Sequence, residues 1–287
     1  MTTDARSQRH AHRGHAVVAN LTDRTTRAAQ SLWIRALVTC ALLAGIATQV
    51  DWSSAGHRVA NGRPAWFIVG VLLLVVAEFV GGARWHVLLH GAEVDAPRGQ
   101  TLRAYLIGVF TNNFLPTSFG GDVTRAWIVS RSRGTLVRAL TSVAFDRATA
   151  IWCLVGVAWG ALATDPGAIP RSLVLALLAM TLGGIVATTV VLRLVATTGT
   201  WDAGWVPARV RQWTLEARET LQLYVQSPGV VVRASMLGVV YQLVAVGSVL
   251  TLAMSINLDL AFSLVAITSP LVLVITLVPI SIAGFGV

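Results

Sequence analysis

Residues 104–125 read Ala-Tyr-Leu-Ile-Gly-Val-Phe-Thr-Asn-Asn-Phe-Leu-Pro-Thr-Ser-Phe-Gly-Gly-Asp-Val-Thr-Arg. An apolar helical start runs into Asn112 and Asn113, breaks at Pro116, passes Ser118, Gly120 and Gly121, and ends on Asp122 and Arg125. Pro116 lacks an N–H, and the glycines permit backbone angles that other residues avoid. Such a segment cannot cross a bilayer as one regular helix. Irregular backbone at depth is tolerated only where protein or a wet cavity satisfies it. Arg98 and Arg103 precede the stretch, and Arg131, Arg133 and Arg138 follow it. Loops on the cytoplasmic side carry an excess of arginine. Both flanks therefore read as cytoplasmic, and the pattern predicts a segment that enters the membrane and returns on the same side.

The rest of the chain fits that frame. Hydrophobic residues make up 55% of the 287 positions and charged residues 12%, with a mean hydropathy of +0.69. Soluble domains are about 25% charged. Crossing a hydrocarbon core of ~30 Å takes about 20 apolar residues. Stretches 32–50, 65–81 with its continuation to 89, 139–163, 173–192 and 234–256 meet that requirement. Stretch 260–287 is long enough but is broken by Pro270, Pro279, Gly284 and Gly286. The fold expected is an all-α, polytopic helical bundle in the membrane with two broken, re-entrant segments.

All 22 basic residues are arginine, against 13 acidic ones. Chemistry that needs a lysine amine, such as a Schiff base or a P-loop, is excluded. Residues 1–31 are polar and basic, and read as a disordered cytoplasmic arm ahead of a transmembrane domain at 32–287. His10, His12 and His15 lie in that arm with no carboxylate or cysteine framing them, so no metal site is expected. Cys40 and Cys153 sit in apolar runs and read as core residues. The arginine alternation places the N-terminus in the cytoplasm of a plasma (inner) membrane. In the cytoplasmic loop 193–233, Val206, Val210, Trp213, Ala217, Leu221 and Tyr224 form one helical stripe. That predicts an interfacial helix at about 205–226, resting on anionic headgroups.

Two places share a local pattern. Residues 115–121 read Leu-Pro-Thr-Ser-Phe-Gly-Gly, and 278–284 read Val-Pro-Ile-Ser-Ile-Ala-Gly. One approaches from the cytoplasm and the other follows an outer loop. That is the arrangement of an inverted repeat whose broken helices meet around a substrate site. The candidate substrate-binding residues are Asn112, Asn113, Pro116, Ser118, Gly120, Gly121, Asp122, Arg125, Asp146, Arg147, Pro279, Ser281 and Gly284. Freed backbone N–H groups can hold a phosphate. Asp122 and Arg125 share a helix face, and serve either as a local ion pair or as headgroup ligands. Asp146 and Arg147 are adjacent, so each needs its own partner. Arg147 is either a phosphate ligand or the structural partner of Asp122 or Glu78. Glu78 is either structural or a proton-coupling group. Arg84-Trp85-His86 ends the second span, where Arg and Trp are ordinary interface anchors. No catalytic residue, cofactor or nucleic-acid partner is expected.

These motifs carry a resemblance. Asn112–Asp122 with Arg125, Asp146-Arg147 and the late Pro279–Gly286 motif resemble the flippase-like, lysylphosphatidylglycerol synthase transmembrane-region family over residues 30–287. Ala83-Arg84-Trp85 and the 205–226 helix sit where that family has similar features. The resemblance implies a multi-pass helical domain that moves a lipid, an anionic phospholipid or a lipid-linked glycan, between leaflets. No aminoacyl-transferase stretch follows, so lipid aminoacylation is not expected. Family members usually continue with Arg-Glu and further helix where this chain stops at Gly286-Val287, so the expectation is either a shortened protein or an incomplete second broken hairpin. A rival reading is an accessory or scaffold protein for envelope synthesis, partnered with its enzymes. An integral-membrane glycosyltransferase is a third, and the short outer loops argue against it.

Overall fold

The computed structural model describes residues 44–45, 47–114, 120–131, 134–165, 169–197 and 207–277. The chain divides into two units, 1–50 with 278–287, and Asp51–Leu277. In the first, the described part is a helical stretch at 44–45 and 47–49, where the Thr48 hydroxyl donates to the Gly45 carbonyl at 2.8 Å. The second unit contains α1 (Trp52–Ala60), α2 (Pro64–Gly91), α3 (Arg98–Phe114), α4 (Gly120–Ser130) and α5 (Leu136–Thr164). Then follow α6 (Arg171–Thr197), α7 (Ala208–Gln226), α8 (Pro228–Ser255) and α9 (Phe262–Leu277). No strand occurs among the described residues. Helices α2, α5, α6 and α8 are long and apolar enough to cross a membrane. The protein is a multi-pass helical membrane protein.

The burial pattern of α2 shows why the solvent must be lipid. Its buried positions include Gly70, Ala77, Gly81 and Gly82. Its exposed ones include Phe67, Ile68, Leu72, Val75, Val76 and Phe79. Over residues 64–82, large apolar side chains outside and small ones inside reverse the logic of a water-soluble core. Only toward its C-terminal end does α2 bury large apolar side chains, Trp85, Leu88 and Leu89. Between membrane helices there is no hydrophobic drive, and small residues let backbones approach. A Cβ on Gly70 would come within 2.7 Å of Leu252, and one on Gly82 within 2.7 Å of Leu102.

Pairings fix the directions. Gly70 meets Leu252, Gly81 meets Tyr241 and Gly91 meets Val230, so α2 and α8 run antiparallel. Arg84 bonds Asp146 and Trp85 bonds Ser142, which places α5 beside α2. Trp152 bonds Thr188 and Trp159 bonds Thr181, so α5 and α6 are antiparallel.

Between α2 and α5, helices α3 and α4 form a hairpin. Asn112 meets Gly121, Gly108 meets Gly121 and Arg125, and Tyr105 meets Arg125, an antiparallel register. With a rise of 1.5 Å per residue, the 11 residues of α4 span only about 16 Å. That is short of a ~30 Å core. Alone, α4 is therefore too short to cross. We expect single cysteines at Arg98 and Arg131 to react with an impermeant thiol reagent from the same face. Labelling from opposite faces would make the segment an ordinary span.

One connection is more structured than the sequence reading foresaw, and another carries the helix expected there. The 51–63 connector holds α1, capped by Asp51, whose Oδ1 accepts from the Ser53 N–H at 3.0 Å and from the Ser54 N–H at 3.3 Å. The Ser53 and Ser54 hydroxyls also donate to this carboxyl and hold it down at about 2. On α7, the buried residues are Thr220 and Tyr224, while Val210 and Trp213 stay exposed. Only the C-terminal half of the expected stripe meets protein. The Tyr224 hydroxyl donates to the Leu88 carbonyl at 2.8 Å, and its ring stacks on Phe145 at 4.3 Å. Burial pushes the Tyr224 phenol up, so it remains a donor.

Candidate functional site

The charged residues on the inward faces of α2, α4 and α5 join into one chain of ion pairs. Arg84 Nε donates to Asp146 Oδ1 at 2.7 Å. Arg125 Nη2 donates to Asp146 Oδ2 at 3.0 Å. The same Arg125 reaches Asp122 Oδ1, from Nε at 3.2 Å and from Nη2 at 3.1 Å. Arg147 Nε donates to Asp122 Oδ2 at 2.8 Å. Each carboxylate thus bridges two guanidiniums, and the order is Arg84–Asp146–Arg125–Asp122–Arg147. Three guanidiniums against two carboxylates leave the network one positive charge.

The helices explain this placement. Asp146 and Arg147, adjacent on α5, point in different directions, and each finds a different partner. Asp122 and Arg125 lie three apart on α4 and share a face. Asp122 stands in the first turn of α4, where the helix dipole favours a carboxylate. The start of α4 is held by Asn112, whose Oδ1 accepts from the Gly121 N–H at 2.8 Å, satisfying a donor that no helical carbonyl reaches. Gly121 must be glycine here, because a Cβ would collide with the Gly108 carbonyl and come 2.6 Å from the Asn112 side chain.

Aromatic faces lock the central arginine. The Arg125 guanidinium lies 4.7 Å from the Trp85 ring centre and 5.3 Å from that of Tyr105. Trp85 is fully buried and its Nε1 donates to Ser142 Oγ at 3.2 Å. Arg84 lies 5.6 Å from the Tyr241 ring. Arg84 and Trp85 are therefore interior groups, not the interface anchors that their position at a span end suggests.

Exposure divides the network. The side chains of Arg84, Asp146 and Arg125 are 6%, 3% and 4% exposed, and that of Arg147 is 43% exposed. Arg84 Nη1 and Arg125 Nη1 are buried with no hydrogen-bond partner among the described residues. Buried donors are rarely left so.

All five charged residues line a cavity of about 700 Å³. Glu78, Tyr105, Gly108, Asn112, Tyr241 and Gln242 also border it. Its other wall is apolar, with Ile151 and Leu154 from α5, Val246 and Val249 from α8, and Val272 from α9. The cavity has a charged end and a greasy flank. The α3–α4 hairpin of the first broken segment and α9, which leads into the second, border the same space. Asn112, Gly121, Asp122, Arg125, Asp146 and Arg147 thus come together, and Gly120 starts α4 with its carbonyl accepting from Thr124. Asn113 belongs to α3, and its side chain is outside the described set. Pro116, Ser118, Pro279, Ser281 and Gly284 lie outside the described residues.

A model of the lysylphosphatidylglycerol synthase transmembrane region matches residues 32–287. The chain belongs to this family. No curated protein and no solved structure matches it. A lysylphosphatidylglycerol synthase transmembrane region is a membrane domain related to lipid handling, and in this member the polar residues at depth converge on one cavity with a lipid-like division of polarity. No group of three or more His, Cys, Asp or Glu placed to hold a metal occurs among the described residues. Sequence reasoning missed Arg84, Tyr105, Tyr241 and Gln242 as cavity residues.

Proposed function

We propose that this chain translocates a lipid with an anionic headgroup, a phospholipid or a lipid-linked glycan, through the cavity between its broken segments. The observation that carries this reading is the cavity itself. A phosphate needs positive charge and N–H donors at depth, and the network offers a net positive charge with two unpartnered guanidinium nitrogens. Acyl or polyprenyl chains need an apolar surface, and α5, α8 and α9 supply one beside the charged end.

In this reading the protein is a carrier and not an enzyme. It sits in the plasma membrane with its N-terminal arm, residues 1–31, and α7 on the cytoplasmic side. The α3–α4 hairpin is the re-entrant element, and segment 260–287 is its inverted counterpart. Partners are the membrane lipids and, in the cell, the enzymes of envelope synthesis that make or use them.

The experiment is reconstitution. The purified full chain is placed in liposomes with phosphatidylglycerol labelled at its acyl chain with a fluorophore, and dithionite is added outside. Expected is bleaching well beyond the outer-leaflet half. Bleaching that stops where protein-free liposomes stop would overturn translocation and favour an accessory role.

A further inference from the structure

We propose that Glu78 binds a proton that enters together with the anionic headgroup, so that the cavity is neutral both empty and occupied. This rests on the lipid reading above.

Glu78 stands apart from the ion-pair chain. It lies on α2 six residues before Arg84, about 9 Å along the helix axis, and lines the same cavity. Its Oε2 is buried with no hydrogen-bond partner among the described residues. Tyr105 borders the same cavity. One turn away, two phenols converge over Gly81. A Cβ there would collide with the Tyr105 hydroxyl and come 3.3 Å from the Tyr241 ring.

The charged and titratable groups that line the cavity with Glu78 come from five helices. They are Arg84 on its own helix, Tyr105 on α3, Asp122 and Arg125 on α4, Asp146 and Arg147 on α5, and Tyr241 on α8. Guanidiniums stay charged in proteins. Asp122 and Asp146 are each held by two guanidiniums. Among these groups, Glu78 is the carboxyl with no guanidinium bound to it. Its state decides the sum. With Glu78 ionised, three guanidiniums face three carboxylates and the charges cancel. With Glu78 protonated, one positive charge remains.

Placing net charge in a low-dielectric site is costly. A monoanionic headgroup entering a neutral cavity would create that charge, and a proton on Glu78 removes it. The step is simple to balance. One carboxylate oxygen of Glu78 takes a proton from a hydronium ion or a protonated buffer molecule on the side of entry. Its O–H bond forms as the donor's bond to that proton breaks, and the donor is left as water or deprotonated buffer. When the headgroup leaves, the acid returns its proton to water. The sign follows by linkage. Protonation favours binding, so affinity is highest at low pH and falls as pH rises through the range where Glu78 ionises in the empty protein. The slope approaches one proton, about tenfold in affinity per pH unit.

The test measures binding of short-chain phosphatidylglycerol to the full chain in nanodiscs of phosphatidylcholine between pH 5 and 8. Wild type is expected to lose affinity with rising pH along that slope. Glu78→Gln, neutral at every pH, is expected to bind throughout as wild type does at low pH. A second measurement needs no variant. In weakly buffered solution with a pH indicator, adding phosphatidylglycerol to wild type should draw up to one proton per lipid bound, and phosphatidylcholine none. Binding without a pH slope, a slope retained in Glu78→Gln, or binding without proton uptake each overturns the proposal while leaving the lipid reading intact. A wild type that binds no phosphatidylglycerol at any pH overturns both.

Discussion

Replacing Asp146 by alanine is expected to cost more folded protein than any other single change at the site. Asp146 is 2% exposed and accepts from Arg84 at 2.7 Å and from Arg125 at 3.0 Å. Its loss strands the buried Arg84 guanidinium and leaves Arg125 with Asp122 as its one carboxylate, and both have little water to turn to. Breaking a buried ion pair by removing one partner costs about 3–5 kcal/mol. Asp146→Asn should be milder, because the amide oxygen still accepts one of the two bonds. Replacing Arg84 by methionine in the Asp146→Ala chain should recover part of the loss, since it removes one stranded charge. Thermal unfolding of detergent-purified protein, followed by size-exclusion chromatography, measures all three. An Asp146→Ala variant that melts where wild type does would show that the bridge carries no weight in the fold.

That bridge also marks how far the sequence could be read. The spans at α2, α5, α6 and α8 were legible because nothing but a bilayer accommodates apolar runs of that length. Most of the expected span 32–50 lies outside the described residues. The α3–α4 pairing was legible because Pro116 and the paired glycines stand between two arginine-rich flanks. Asp122, Arg125, Asp146 and Arg147 were legible as costly charges at depth. Their wiring was not. Arg84 looks like an anchor because span ends favour arginine, and what buries it is Asp146, 62 residues away in sequence. Tyr105 and Tyr241 carry no local mark, since a tyrosine in an apolar helix is ordinary until a neighbouring glycine brings a second helix against it. Arg98 begins α3 six residues before the apolar run that the sequence reading started from at residue 104, because hydropathy does not see a polar first turn. The helix Trp52–Ala60 did leave a sign, an Asp51 followed by Ser53 and Ser54, which is capping chemistry in a stretch read as a connector.

Arginine 147 is expected to behave in the opposite way to Asp146. Arg147→Ala should fold and melt close to wild type, yet lose binding of anionic lipid by about ten- to hundredfold. The stability side follows from exposure. The Arg147 side chain is 43% exposed, so its 2.8 Å pair with Asp122 is screened by surroundings that the inner pairs lack. Such a pair contributes at most about 1 kcal/mol. Asp122 does not become stranded, because Arg125 still donates to it from Nε and Nη2. The binding side follows from position. Arg147 is the end of the network that opens to the cavity, and it has one carboxylate partner where Arg125 has two. A phosphate matches a guanidinium fork as a carboxylate does, so the exchange from Asp122 to a headgroup replaces like with like. A hydrogen bond to a charged group is worth about 1.5–3 kcal/mol, which sets the expected loss. Arg147→Lys keeps the charge without the planar fork and should fall between the two. The measurement is phosphatidylglycerol binding beside thermal unfolding on the same samples. If Arg147→Ala unfolds the protein and Asp122→Asn in the same chain restores it, the pair is structural, and Arg147 has no role as a headgroup ligand.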